Sequence, residues 1–233
     1  MDAQVLELVQ NVNPSVLSPL PSPTPSSHPY YILIETHGSD EVHDQAKMER
    51  FLETVMTPID SKGDAIIADG VLASSLSQIE EMWKLRESCN PSCAASGYVY
   101  KYDISLPIPD FPSFVKDIKQ SLDVVEDNKL AIVNWGHVID GNLHLNVVSV
   151  DDFEVDSDFL LPKIESLVLE RVKKYGGSIS AEHGLGQYKH KYMTKIKDPA
   201  TLSKMRSIKY LFDPNGILNP GKYLPLEIEE LSP

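Results

Sequence analysis

The chain has 233 residues, enough to bury a sizeable core as one large domain or two small ones, and its 42% hydrophobic content is ordinary for a globular protein. A net charge of −13 argues against nucleic acid, whose phosphates need basic patches, and disfavours an anionic membrane surface. No apolar run approaches the ~20 residues that span a bilayer, while a small anionic ligand stays open because local Arg and Lys outweigh distant charge.

Residues 1–9 read as an amphipathic turn or two of helix with no N-cap before them. Residues 12–28 are rich in Pro and Ser and read as a linker without regular structure. A strand is expected at 30–35, a helix at 41–56 and a short strand at 65–68. A helix over 74–89 follows, with Leu76, Ile79, Met82 and Leu85 at helical spacing. Cys89 and Cys93 have no histidine near them to complete a zinc motif, and are expected as free thiols of a reducing compartment. Alternation over 98–106 predicts a strand that Pro107 and Pro109 close, and a helix covers 111–124. Beyond the hairpin described next, a helix at 157–174 ends at Gly176-Gly177, and 178–182 is compatible with a strand. The last helix, 201–211, is stopped by Asp213-Pro214. The pattern gives an α+β fold, an antiparallel sheet with helices on one face. The order of elements suggests two ferredoxin-like repeats sharing that sheet.

The hairpin lies in Gly136-His137-Val138-Ile139-Asp140-Gly141-Asn142-Leu143-His144-Leu145-Asn146. Asp140-Gly141 is a two-residue type I′ turn signal. Centred there, Ile139 faces Asn142, Val138 faces Leu143 and His137 faces His144. Opposed residues have Cβ atoms about 4.5–5.5 Å apart, so two imidazoles would project side by side. Asn146, two residues beyond His144, shares its face. A lone strand histidine is ordinarily a partly buried or surface residue. Two facing each other, with Glu182-His183 elsewhere, make a set of metal-ligand type. Two His and one carboxylate suit zinc, and iron or manganese also fit.

Residues 137–146 and Ser180-Ala181-Glu182-His183-Gly184-Leu185-Gly186 resemble two signatures of flavin-linked 2-hydroxyacid dehydrogenases, members of the vanillyl-alcohol-oxidase flavoprotein superfamily. Asp213-Pro214-Asn215-Gly216-Ile217-Leu218-Asn219-Pro220-Gly221-Lys222 resembles the family's C-terminal signature. Asn142-Leu143-His144-Leu145-Asn146 and Tyr98-Val99-Tyr100-Lys101-Tyr102-Asp103 look most like the members that act on D-2-hydroxyglutarate. The resemblance runs from about residue 1 to residue 225. It covers the family's C-terminal substrate domain; the glycine-rich loop of the FAD-binding domain has no counterpart among these residues. A fragment, a short isoform, a partial gene model or a diverged half-protein is therefore expected. Domain limits follow: 1–28 a truncated helix and linker, 29–225 the substrate domain, 226–233 a tail.

The resemblance implies oxidation of D-2-hydroxyglutarate to 2-oxoglutarate with hydride passing to FAD. His137, His144 and Glu182 match the metal ligands, and His183 matches the catalytic base. Arg86 matches the α-carboxylate clamp, although its own sequence context reads equally as a surface helix residue. Lys101 matches a second anion contact and Asn146 a substrate contact. Asn219 matches a residue that approaches the flavin ring, and Lys189 a basic position after the Glu-His-Gly signature. The implied partners are a small 2-hydroxy acid and an electron acceptor such as an electron-transfer flavoprotein. The implied compartment is the mitochondrion, with the cytoplasm as the alternative because the acidic, Arg-poor N-terminus reads as no transit peptide. Two positions depart from the family. Ile139 stands where the family has Gly, which would distort the turn or crowd the flavin, and Asn90 stands where a hydroxyl residue is usual. These departures support an alternative reading, an inactive remnant or truncated isoform that binds metal, carboxylate or a partner. A flavin-independent metal hydrolase is a third.

Overall fold

The computed structural model describes residues 1–20, 28–58, 65–126, 130–150 and 157–225. The chain divides into two compact units, Met1–Val99 with Val148–Asp152, and Tyr100–Val147 with Phe153–Pro233.

In the first unit, α1 (Ala3–Val12) buries Val5, Leu6, Leu8 and Val9 on one face, the amphipathic pattern expected. It has a cap after all. The Asp2 carboxylate accepts the Val5 N–H at 2.9 Å, satisfying one of the free donors of the first turn. The Pro/Ser segment is also partly structured, contrary to expectation. Pro14–Leu17 form a 3₁₀ turn, because Pro14 presets φ at its start and Val16 and Leu17 are buried. Residues 21–27 of that segment lie outside the described residues.

The strand expected at 30–35 reduces to one antiparallel bridge, Asp2 to Tyr30. Ile32 and Ile34 are exposed, so the β-formers there have no face to pack on. The strand expected at 65–68 does not form either. Helix α2 (Glu41–Met56) has the expected bounds and is capped by Asp40. The helix expected at 74–89 is shorter. It is α3 (Leu76–Glu87), and after Ser88 a new helix begins, α4 (Cys89–Ser96). Pro91 falls in the first turn of α4, where a missing N–H leaves no bond unmade. Cys89 and Cys93, one turn apart, are free and buried in this unit, where α4 packs against α1. Burial pushes the Cys89 thiol up to about 11.

The second unit holds most of the sheet. Strands β1 (Gly97–Ser105), β2 (Leu130–Trp135) and β3 (Asn142–Val150) lie in the order β1-β3-β2. Helix α5 (Phe111–Glu126) links β1 to β2, and α6 (Ser157–Lys174) follows β3. The period-2 alternation divides the sheet into two faces. Tyr100 and Ile104 of β1, Ile132 of β2, and Leu143, Leu145 and Val147 of β3 share one core with Phe114 and Ile118 of α5 and Ile164, Val168 and Val172 of α6. Asp103 on β1, Trp135 on β2, and His144 and Asn146 on β3 take the alternate positions. The face away from α5 and α6 carries these side chains together with the buried Val133 and Val148.

The path β1-α5-β2-β3-α6 is that of one ferredoxin-like repeat within an α+β fold. Its fourth strand is a single bridge, in which Ser105 and Ser178 exchange backbone bonds of 3.0 and 2.8 Å. This is less than the strand expected at 178–182. Gly177 makes the approach possible, because a Cβ there would lie 2.3 Å from the Ser105 carbonyl oxygen. Gly176, at φ +66°, ends α6 as a left-handed cap. A single turn, α7 (Met193–Ile196), and a longer helix, α8 (Pro199–Phe212), follow, the latter two residues longer at its start and one at its end than the periodicity predicts.

Candidate metal and acid–base site

The turn joining β2 to β3 is not type I′. Gly141 has φ +66°, as expected, but Val138–Asp140 form a 3₁₀ turn. The His137 carbonyl accepts the N–H of Asn142 at 3.1 Å and that of Asp140 at 3.2 Å. Four residues therefore lie in the loop, and the register is two residues away from the expected one. Trp135, not His137, comes beside His144 at the end of β2, with ring centroids 6.1 Å apart. Gly136 accounts for the tight exit from β2: a Cβ there would sit 2.2 Å from the Asn142 carbonyl oxygen. Ile139 costs this turn no backbone strain. It has no positive φ and is 95% exposed, so the expected distortion does not arise.

The two histidines still meet, by way of the loop. Their ring centroids are 5.7 Å apart and nearly perpendicular. His137 Nδ1 and Glu182 Oε1 form a hydrogen bond of 2.7 Å. One ligand atom from each of His137, His144 and Glu182 lies within 4.8 Å of the others. Neutral imidazoles and a carboxylate at that spacing fit a divalent cation with positions left open. His183 stacks on His144, with centroids 6.1 Å apart and 22° between planes. Its side chain is well exposed.

Asp103 underlies the cluster and is 5% exposed. Its Oδ2 accepts the backbone N–H groups of Ala181 (3.1 Å), Glu182 (2.9 Å) and His183 (2.9 Å). Its Oδ1 accepts from Asn142 Nδ2 at 3.2 Å. Burial, the largest single influence, pushes its carboxyl upward. The N–H groups of His183 and Glu182, with the charges of His183 and Lys189, outweigh it and hold the carboxyl below its ordinary range. Lys189 donates to the carbonyl oxygens of Ile179 (2.9 Å) and Asp103 (3.5 Å), and burial lowers its own affinity for a proton.

The family described as "FAD linked oxidases, C-terminal domain" matches residues 1–223. The chain belongs to that family. It is 43% identical over 198 residues to D-2-hydroxyglutarate dehydrogenase, mitochondrial, of Danio rerio, covering 84% of this chain and 34% of that protein. It is 40% identical to the Arabidopsis thaliana protein of the same name, covering 97% of this chain and 37% of that one. With the D-2-hydroxyglutarate–pyruvate transhydrogenase of Saccharomyces cerevisiae it shares 36% identity, over 89% of this chain and 41% of that protein. The chain thus spans about a third to two fifths of the length of these relatives.

Within this member of the FAD linked oxidases, the remaining expected site residues fall in three places. Lys101 and Asn146 occupy the same sheet face as Asp103 and His144. Lys101 is exposed, whereas Asn146 is buried and donates to the His144 carbonyl at 3.3 Å. Asn219 sits in a left-handed turn at φ +47° and accepts from Lys222 Nζ at 3.3 Å, a geometry Asn adopts more readily than other side chains. Arg86 is half-buried near the end of α3 in the first unit, where its charge bears on Cys89 and on the Met1 amine. Asp103 and Asn142 were not singled out from the sequence. One signal was available for Asp103: it is an acid in a strand whose neighbouring alternate positions are Tyr100, Tyr102 and Ile104.

Proposed function

We propose that this chain is the substrate- and metal-binding part of a flavin-dependent dehydrogenase that oxidises D-2-hydroxyglutarate to 2-oxoglutarate. The observation that carries the reading is the convergence of His137, His144 and Glu182, with His183 stacked beside them, on the sheet face that α5 and α6 leave uncovered. Relatives named for D-2-hydroxyglutarate support the substrate.

A bound divalent metal, zinc for preference, would lower the pKa of the substrate hydroxyl and orient it, and FAD would take the hydride. His137, His144 and Glu182 would hold the metal. His183 accepts the hydroxyl proton on a ring nitrogen, a task that suits an imidazole near neutral pH. Asn146 donates to the substrate. Lys101 gives a cation to a carboxylate, and Arg86, on the first unit, matches the residue whose guanidinium fork clamps the α-carboxylate. Asn219 matches the position that borders the flavin ring. The whole protein's flavin would pass its electrons to an acceptor such as an electron-transfer flavoprotein rather than to NAD, in the mitochondrion by likeness to relatives named for it.

The test is a chimera in which this chain replaces the matching segment of the Danio rerio relative. With zinc supplied, D-2-hydroxyglutarate should bleach the bound flavin faster than D-lactate does. A flavin that stays oxidised with D-2-hydroxyglutarate while the chimera is folded and metal-loaded would favour the inactive remnant.

A further inference from the structure

We propose that Asp103 is the positioning residue of this site, setting the geometry of Glu182, His183 and His144 without touching metal or substrate. The inference rests on the metal reading of His137, His144 and Glu182.

Three consecutive backbone N–H groups, those of Ala181, Glu182 and His183, converge on one carboxylate oxygen of Asp103 at 2.9–3.1 Å. Ser180 Oγ approaches the same oxygen at 3.4 Å. Successive N–H groups aimed at one point form a concave anion site, and here a side chain of β1 fills it. Glu182 and His183 lie in a segment with neither helix nor strand. Their backbone is held where it is by a residue nearly 80 positions earlier in the chain.

The other oxygen turns to the hairpin. Oδ1 accepts from Asn142 Nδ2 at 3.2 Å and faces His144 Nδ1 at 3.8 Å. His183 Nδ1 stands 3.9 Å from Oδ2. Nδ1 of each ring thus stands within 3.9 Å of this one carboxylate. At these distances the carboxylate acts on the two rings as a nearby negative charge, while its hydrogen bonds go to the backbone of 181–183 and to Asn142.

Asp103, Glu182 and His183 also bring ligand atoms within 4.8 Å of one another, so direct ligation by Asp103 is the competing assignment. The hydrogen bonds decide against it. Oδ2 already accepts three N–H donors and has no lone pair to give a cation, and Oδ1 is engaged by Asn142 in a residue that is 5% exposed. Lys189 reinforces the arrangement from the backbone side. Its ammonium bonds the carbonyls of Ile179 and Asp103 and so ties the start of the loop to β1.

The experiment uses the whole chain and Asp103→Asn, which keeps the shape but removes the negative charge and one of the two acceptor oxygens that serve the N–H groups of 181–183 and Asn142. Zinc titrations run at a temperature where both proteins are folded, since a purely structural loss would then leave affinity unchanged. The variant should bind zinc about 10- to 100-fold more weakly, the range for an outer-shell partner. In zinc-free wild type, the amides of Ala181, Glu182 and His183 should be protected from hydrogen exchange despite lying in a loop. They should quicken in the variant while those of Leu145 and Val147 stay protected. Unchanged zinc affinity overturns the proposal, and so does unchanged exchange at 181–183. Should Asp103→Asn fail to fold, wild type alone decides, because open-chain exchange at 181–183 also overturns it. A wild type that binds no zinc would defeat the metal reading, and the exchange arm would still settle whether Asp103 holds the loop.

Discussion

The carbonyl of His137 accepts the N–H of Asn142 at 3.1 Å, and this bond sets the register of the hairpin that carries two of the three proposed metal ligands. It closes a four-residue loop, so His137 leaves the end of β2 and swings to Glu182, while His144 stays on β3 beside Trp135.

That geometry depends on Gly136. Gly136→Ala drives a Cβ to 2.2 Å from the Asn142 carbonyl oxygen, and backbone there cannot yield cheaply. The variant should lose about 3 kcal/mol or more in urea unfolding, the upper end of the cost of overpacking because the obstacle is backbone. Gly184→Ala, with open space around its Cβ but φ +73°, should lose only about 1–2 kcal/mol from the left-handed backbone. Equal losses at the two positions would show that the close approach at Gly136 is not what shapes the turn.

Ile139 should prove harmless to the fold. Because its φ is not positive and its side chain is in solvent, Ile139→Gly relieves no strain. It should lower stability by about 0.5–1 kcal/mol through added backbone freedom and leave zinc affinity unchanged. A stabilised variant would mean that the branched side chain does distort the hairpin.

Acid should loosen the turn after α8. Lys209, with the N–H groups of Leu218 and Ile217, holds the Asp213 carboxyl below its ordinary value of 3.8 against the opposing pull of burial. A group with a depressed folded pKa adds stability that is fully present above its unfolded value and lost as pH falls through the folded one. Urea midpoints should therefore drop below about pH 4. Asp213→Asn should lower stability at pH 6 and flatten that acid slope. An undiminished slope in the variant would remove Asp213 as a cause.

Much of this was legible in the residues. Helices at 41–56 and 157–174 have the bounds that periodicity indicates, and the alternation in 98–106 separates core from site: Tyr100 and Ile104 inward, Asp103 outward. The pairing of His137 with His144 was foreseen, but through the wrong turn. Asp-Gly satisfies a type I′ turn locally, while the Gly136 approach to Asn142 and the Gly141 approach to the Leu106 carbonyl are tertiary constraints that a two-residue signal does not contain. Strands at 30–35 and 65–68 failed for a related reason. β-propensity reports a surface to pack on, and Ile32, Ile34 and Ile66 have none. Asp103 stayed hidden because its partners are backbone N–H groups far along the chain, which no side-chain pattern marks.

The most direct test of the whole account is metal content against ligand identity. Purified chain equilibrated with zinc at pH 7.5 and freed of excess metal should retain one zinc per chain. Acid should release it as the imidazoles protonate. His144→Ala and Glu182→Gln, each folded by circular dichroism, should retain none, while Ile139→Gly retains a full equivalent. One zinc that persists in both ligand variants, or none in the wild type, would contradict the site assigned to His137, His144 and Glu182.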